Sequence, residues 1–247
     1  MKTQDPHFDE ATETWQRERI DEIRAWAESV ELPAPCQLEI GANRGRFFMG
    51  LAALYPDRSL IAIEIKPKFA QQLQQTLDQA GHGHRAKALG ADANLAVPLL
   101  FADGHLERAY VLFPDPWWKK RHAKRRLLTP AFLDLLASKL APGGHLVLKT
   151  DVEPYAEYLK EILAEVSDVL RPVEEGDPQW PSDVEAWPMT NREAHITRME
   201  LPIWSFILAR TEAPVPDRDA ATRAPEVRFP KPAHMTADAA TRPRARS

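Results

Sequence analysis

Several things are scarce in this 247-residue sequence, and each scarcity removes a class of protein. Cys36 is the only cysteine, so a disulfide framework is excluded. The eight histidines are scattered and offer no metal-ligand spacing, so no metal site is expected. No stretch approaches the roughly 18 consecutive apolar residues of a membrane-spanning helix. The opening MKTQDPHFDE is polar and lacks the apolar core of a secretion signal; the expected compartment is the cytoplasm, with no membrane partner. Positive charge is not in excess: 32 Lys and Arg stand against 36 Asp and Glu, a net charge of −4. A surface for a polyanion would therefore have to be a local patch. Internal repeats are absent.

What the sequence does hold is enough apolar residues for a sizeable core, 44%, in alternating strand-like and helix-like segments. Gln37–Ile40 reads as a strand ending in Gly41, Phe47–Tyr55 as a helix stopped by Pro56, and Leu60–Ile65 as a second strand. Lys68–Ala80 is a Gln-rich helix, Ala86–Ala91 a third strand, Leu95–Phe101 a short helix and Arg108–Phe113 a fourth strand. After a Pro-rich basic loop over 114–128, Thr129 as N-cap and Pro130 at the first helical position open a helix to Leu140. Pro142–Gly144 is a turn, His145–Thr150 a fifth strand, Pro154–Val166 a helix and Ile203–Ala209 a last strand. Repeated β-α units predict an α/β fold with a doubly wound, mostly parallel sheet.

The expected organisation is an N-terminal helical extension over 1–30, one main domain over 31–211, and a disordered tail over 212–247. The extension carries an amphipathic helix over Thr14–Val30, and the tail is rich in Pro, Ala and Arg without periodicity. Trp180 and Trp187 lie in a loop and are candidates for packing or for a lid. Monomer and homodimer both remain open.

Ligands of doubly wound sheets bind beyond the carboxyl ends of the strands. The first such turn is Glu39-Ile40-Gly41-Ala42-Asn43-Arg44-Gly45. Asn43 stands where a dinucleotide loop uses glycine to let the backbone approach a pyrophosphate. That weighs against an NAD-dependent oxidoreductase, as does the lack of an evident hydride-chemistry centre. Asn tolerates the left-handed backbone of a tight turn better than most residues. Glu64 ends the second strand, about 20 residues beyond the loop, where a carboxylate can accept from both ribose hydroxyls; the plain alternative is a solvated acid beside Lys66 and Lys68. Asp92 follows the third strand and can accept from an adenine amino group or cap a helix. Glu39 lies inside an apolar run, where an unpaired charge is costly and a cationic ligand would supply a partner. S-adenosylmethionine carries an ammonium and a sulfonium and no phosphate. Three acids at successive strand tips fit it better than they fit a nucleotide.

The densest signal is Phe113-Pro114-Asp115-Pro116-Trp117-Trp118-Lys119-Lys120-Arg121-His122-Ala123-Lys124-Arg125-Arg126-Leu127. Two prolines stiffen the chain around Asp115. Trp117 and Trp118 offer faces on which a base can stack, and the cations can neutralise phosphates. Carboxylate, aromatics and cations together could hold one unstacked nucleotide beside the cofactor.

This segment resembles the signature of bacterial tRNA (guanine-N7-)-methyltransferases, F-P-D-P-W-x-K-x-R-H-x-K-R-R. The similarity continues through Glu39-Ile40-Gly41, Ile63-Glu64, Ala91-Asp92-Ala93, Lys149-Thr150-Asp151 and Thr190-Asn191-Arg192-Glu193, and spans roughly residues 36–210. It implies a Rossmann-like class I S-adenosylmethionine-dependent methyltransferase with a seven-stranded sheet, acting on guanine N7 in tRNA, in the variable loop. It implies Asp115 as the catalytic aspartate and cofactor contacts at Glu39, Gly41, Glu64, Asp92 and Asp115. Substrate contacts are implied at Lys119, Asp151, Thr190 and Glu193, and RNA contacts at Arg121, Lys124, Arg125 and Arg126. Two positions depart from the family pattern. The usual G-F-G-x-G loop is Gly41-Ala42-Asn43-Arg44-Gly45 here, leaving Arg44 without a role, and the usual Phe of T-x-x-E is Arg192. Two rivals stand beside this reading. Pro-Asp-Pro-Trp is also close to the D-P-P-W loop of enzymes that methylate exocyclic amines in nucleic acids, and the same fold could serve a non-catalytic RNA-binding protein.

Overall fold

The computed structural model describes residues 6–31, 33, 35–117 and 126–216, with the backbone alone over 6–13. The chain opens with α1 (Pro6–Glu28), then alternates β1 (Cys36–Ile40), α2 (Arg46–Leu54), β2 (Ser59–Glu64), α3 (Pro67–Gln79), β3 (Ala86–Gly90), α4 (Ala93–Leu100) and β4 (Leu106–Leu112). After the loop come α5 (Pro130–Lys139), β5 (Leu140–Thr150), α6 (Glu153–Glu165), β6 (Leu170–Pro172), a single 3₁₀ turn (Val184–Ala186), α7 (Asn191–Arg198) and β7 (Trp204–Arg210).

The seven strands lie in the order β3-β2-β1-β4-β5-β7-β6. The pairs among β1 to β5 are parallel, and β7 runs antiparallel between β5 and β6. The direction of winding reverses between β1 and β4, so the crevice for a ligand opens there, at the strands' carboxyl ends. β1 and β2 are buried along their whole length, as expected of strands covered on both faces. Leu38, Ile40, Ile61, Ile63, Val111 and Leu148 point to the side holding α4, α5 and α6, where Ile23 and Trp26 of α1 also pack. Ala62, Tyr110, Leu112 and Val147 point to the side holding α2 and α3, which Trp180, Val184 and Trp187 help to cover.

Three elements differ from the sequence expectation. β5 starts at Leu140 because Leu106 pairs with Leu140 while Arg108 pairs with His145; the intervening Pro142–Gly144 turn bulges from a continuous strand. β6 and α7 were not anticipated. The expected RNA contacts Arg121, Lys124 and Arg125, the substrate contact Lys119, and all but the first few residues of the tail fall outside the described residues.

Candidate active site

The turn after β1 coils tightly. Gly41, Asn43 and Gly45 take φ of 82°, 51° and 74°, the left-handed region that glycine and, among other residues, asparagine tolerate best. At Gly45 a Cβ would lie 2.2 Å from Leu73 Cδ1, so glycine also lets α3 close on the turn. Glu64 holds the turn from below: one oxygen accepts from Asn43 N at 2.8 Å and the other from Lys66 N at 3.0 Å.

Glu39 alternates with Leu38 and Ile40 and so faces the α2 side of the sheet. It is 3% exposed, and its Oε2 has no hydrogen-bond partner among the described residues. Burial, then the neighbouring Glu64 carboxylate, pushes the Glu39 carboxyl up to about 8. A buried acid with an orphaned oxygen and another acid as its neighbour is the arrangement a cationic ligand completes. Asp92 caps α4: its Oδ1 accepts from Asn94 N at 2.8 Å and from Asn94 Nδ2 at 2.9 Å. The cap occupies one oxygen and fixes the carboxylate beyond the tip of β3. Cys36, at the other end of β1, is pushed by burial to a pKa of about 12 and stays a thiol.

Beyond β4 the backbone turns sharply. Phe113 has φ 53° and Trp117 φ 37°, and Phe113 N is tied to Lys149 O at 2.7 Å. Asp115 lies between them, exposed. The loop returns at Arg126, whose guanidinium stacks 4.2 Å from the Tyr158 ring centroid, while Tyr158 donates to Leu128 O at 2.9 Å. Arg126 thus lies against α6.

The tip of β5 holds the first turn of α7. Lys149 Nζ meets the buried Glu193 at 2.5 Å, and Arg192 pairs with Asp151. Thr190 and Glu193 form a reciprocal capping box, with Glu193 N donating to Thr190 Oγ1 at 2.9 Å and Thr190 N to Glu193 Oε2 at 3.4 Å. Arg46, the first residue of α2, donates to Asn191 at 3.3 Å. Asp151, Thr190 and Glu193 are therefore brought to one corner, and Glu39 and Glu64 to another on the same edge of the sheet. Lys149 went unnoticed as an ion-pair partner because Glu193 lies 44 residues away in sequence.

A family model described as "Putative methyltransferase" matches residues 33–206. With the sheet order and the acids at its carboxyl edge, this makes the chain a Rossmann-like, S-adenosylmethionine-dependent methyltransferase. The tRNA (guanine-N(7)-)-methyltransferase of Parasynechococcus marenigrum (strain WH8102) is 33% identical over 189 residues, covering 75% of this chain and 79% of that protein. The one from Synechococcus sp. (strain CC9311) is 33% identical over 200 residues, covering 76% and 84%; that from Myxococcus xanthus (strain DK1622) is 36% identical over 141, covering 57% and 68%. The chain belongs to the tRNA (guanine-N(7)-)-methyltransferase family.

Proposed function

We propose that this chain transfers the methyl group of S-adenosylmethionine to N7 of a guanine in tRNA, in the variable loop. The observation that carries the reading is the buried Glu39 carboxyl group with its unpartnered oxygen, in a chain whose relatives are named for this activity.

The donor set fits the cofactor. Glu39 would hold the ammonium group, beside the turn at Gly41. Glu64 would accept from the ribose hydroxyls with the lone pairs not used by Asn43 and Lys66, and Asp92 from the adenine amino group with the oxygen left free by the cap. Asp115 completes this set. When bound, S-adenosylmethionine supplies a methyl group on a positively charged sulfur. Guanine N7 carries its lone pair in the neutral base, so no proton need leave before attack and the chain needs no strong general base. Asp115, stiffened by Pro114 and Pro116, orients the guanine through its N–H donors and stabilises the positive charge that develops on the ring. Asp151, Thr190, Glu193 and Lys119 position the base. Asp151 and Glu193 do so as carboxylates already held by Arg192 and Lys149. Arg121, Lys124, Arg125 and Arg126 serve the RNA phosphates.

Incubation with methyl-labelled cofactor and bulk tRNA, followed by nucleoside analysis, tests the reading. Label in 7-methylguanosine supports it. Label on an exocyclic amine, or none on RNA, contradicts it.

A further inference from the structure

Arg44 has no use in the chemistry above, yet its position is set by that site. By accepting from Asn43 N and Lys66 N, Glu64 draws the β1–α2 turn against the β2–α3 turn. Arg44 and Lys66 consequently reach the same ring: Arg44 Cζ lies 6.0 Å and Lys66 Nζ 5.2 Å from the Phe69 centroid. Lys68, in the first turn of α3, joins Arg44, Phe69, Gln72 and Thr76 around an open cleft of about 280 Å³.

Arg44, Lys66 and Lys68 are all exposed, and none makes an ion pair with a carboxylate among the described residues. Elsewhere Arg58, Lys139, Lys160, Arg171 and Arg192 each have a carboxylate within ion-pair distance. Cations gathered on one ring without counter-ions repel one another, and a polyanion relieves that repulsion. Arg44 and Lys68 line the cleft together with the Phe69 ring, a surface along which a phosphate backbone can lie. In a chain with a net charge of −4, three exposed cations on two adjoining turns are a local concentration of positive charge.

We propose that Arg44, Lys66 and Lys68 form a second RNA-backbone contact. It lies on the β2 side of β1, whereas Arg126 lies against α6 on the β4 side, so tRNA is gripped on both flanks of the site. The proposal rests on the reading that tRNA is the substrate.

The test is the full chain carrying R44Q/K66Q/K68Q, with tRNA affinity measured over a range of KCl concentrations and S-adenosylhomocysteine affinity measured alongside. Three lost phosphate contacts lower the slope of log Kd against log salt by about 2 to 3, with cofactor affinity unchanged. An unchanged slope overturns the proposal. So does a loss of cofactor affinity with the slope intact, which would assign the cluster to the cofactor site. Wild-type protein assayed for 7-methylguanosine separates the two readings. If it makes that product and the triple variant keeps its slope, only the second contact is lost. If it makes none and its tRNA binding does not respond to salt, the proposed function fails first.

Discussion

The two ends of the central sheet treat buried charge in opposite ways. At the amino end of β4, Arg108 is 7% exposed and tightly partnered. It donates to Tyr55 at 2.9 Å, to Tyr110 at 3.2 Å and to both oxygens of Asp183 at 3.2 Å. Tyr110 passes the chain on to Gln37 at 3.1 Å, Trp187 Nε1 donates to Tyr55 at 3.0 Å, and the Trp187 ring lies 4.9 Å from the guanidinium. Burial disfavours the charge on Arg108, but Tyr110, Asp183 and Tyr55 outweigh it and raise its pKa. At the carboxyl end Glu39 is as deeply buried, and among the described residues the charged group that shifts it is Glu64, which raises its pKa further. At the Arg108 end the charge is balanced within the chain by Asp183, although Arg108 Nε has no hydrogen-bond partner among the described residues. At the Glu39 end no cation pairs with the carboxyl group among the described residues, and under the proposed function the cofactor's ammonium group supplies one.

Breaking the site has the largest expected effect. Asp115→Ala should lower single-turnover methyl transfer by at least about a thousandfold and leave thermal unfolding unchanged, because Asp115 is exposed; near-normal turnover would remove its catalytic assignment. Breaking the closed network comes next. Arg108→Met leaves Asp183 and the two tyrosines without their shared donor and should cost about 3 to 5 kcal/mol in urea unfolding. A loss under about 1 kcal/mol, the range of surface pairs, would mean that the network is not a fastening.

Glu39→Gln sharpens the comparison through pH. The folded chain holds the Glu39 proton up to about 8, against 4.5 for an ordinary glutamate. The stabilisation is therefore fully present below the lower value and is lost as pH rises through the higher one. The slope is at most about 1.4 kcal/mol per pH unit. Cofactor-free Glu39→Gln protein should lose that decline, and an identical pH profile for both proteins would contradict the raised pKa. Arg192→Ala is expected to do least to stability, under about 1 kcal/mol, because the arginine is exposed. It should instead raise the KM for tRNA by releasing Asp151, and an unchanged KM would show that the pair only decorates α7.

The parts of this fold legible in the sequence are those where local chemistry matches the tertiary environment. β1, β2 and β4 are buried on both faces and read as short apolar runs. Thr129-Pro130 marked α5 in advance, and Asn43 marked a left-handed turn. β6 is three residues with an arginine and a proline, too short and too polar to carry a period. α7 buries only Glu193 and Ile196, so it has no apolar stripe; Thr190-x-x-Glu193 was visible as the family's T-x-x-E element, but not as the capping box that opens a helix. Glu39 stood out as an acid in an apolar run, whereas its neighbour Glu64 and its orphaned oxygen depend on the sheet register. Arg126 belonged by sequence to a phosphate-binding run; its stacking on Tyr158 depends on α6 packing against residues 126–128. Trp187 resolves to packing, through Tyr110 and Arg108.

Under the proposed function, Glu39 waits for a cation. Calorimetric titration of S-adenosylmethionine at pH 7, in two buffers of different ionisation enthalpy, counts the protons exchanged on binding. Wild-type protein should release up to about one proton as the Glu39 carboxyl ionises against the ligand, and Glu39→Gln should bind more weakly and release none. Equal proton counts and equal affinities in the two proteins would contradict the account.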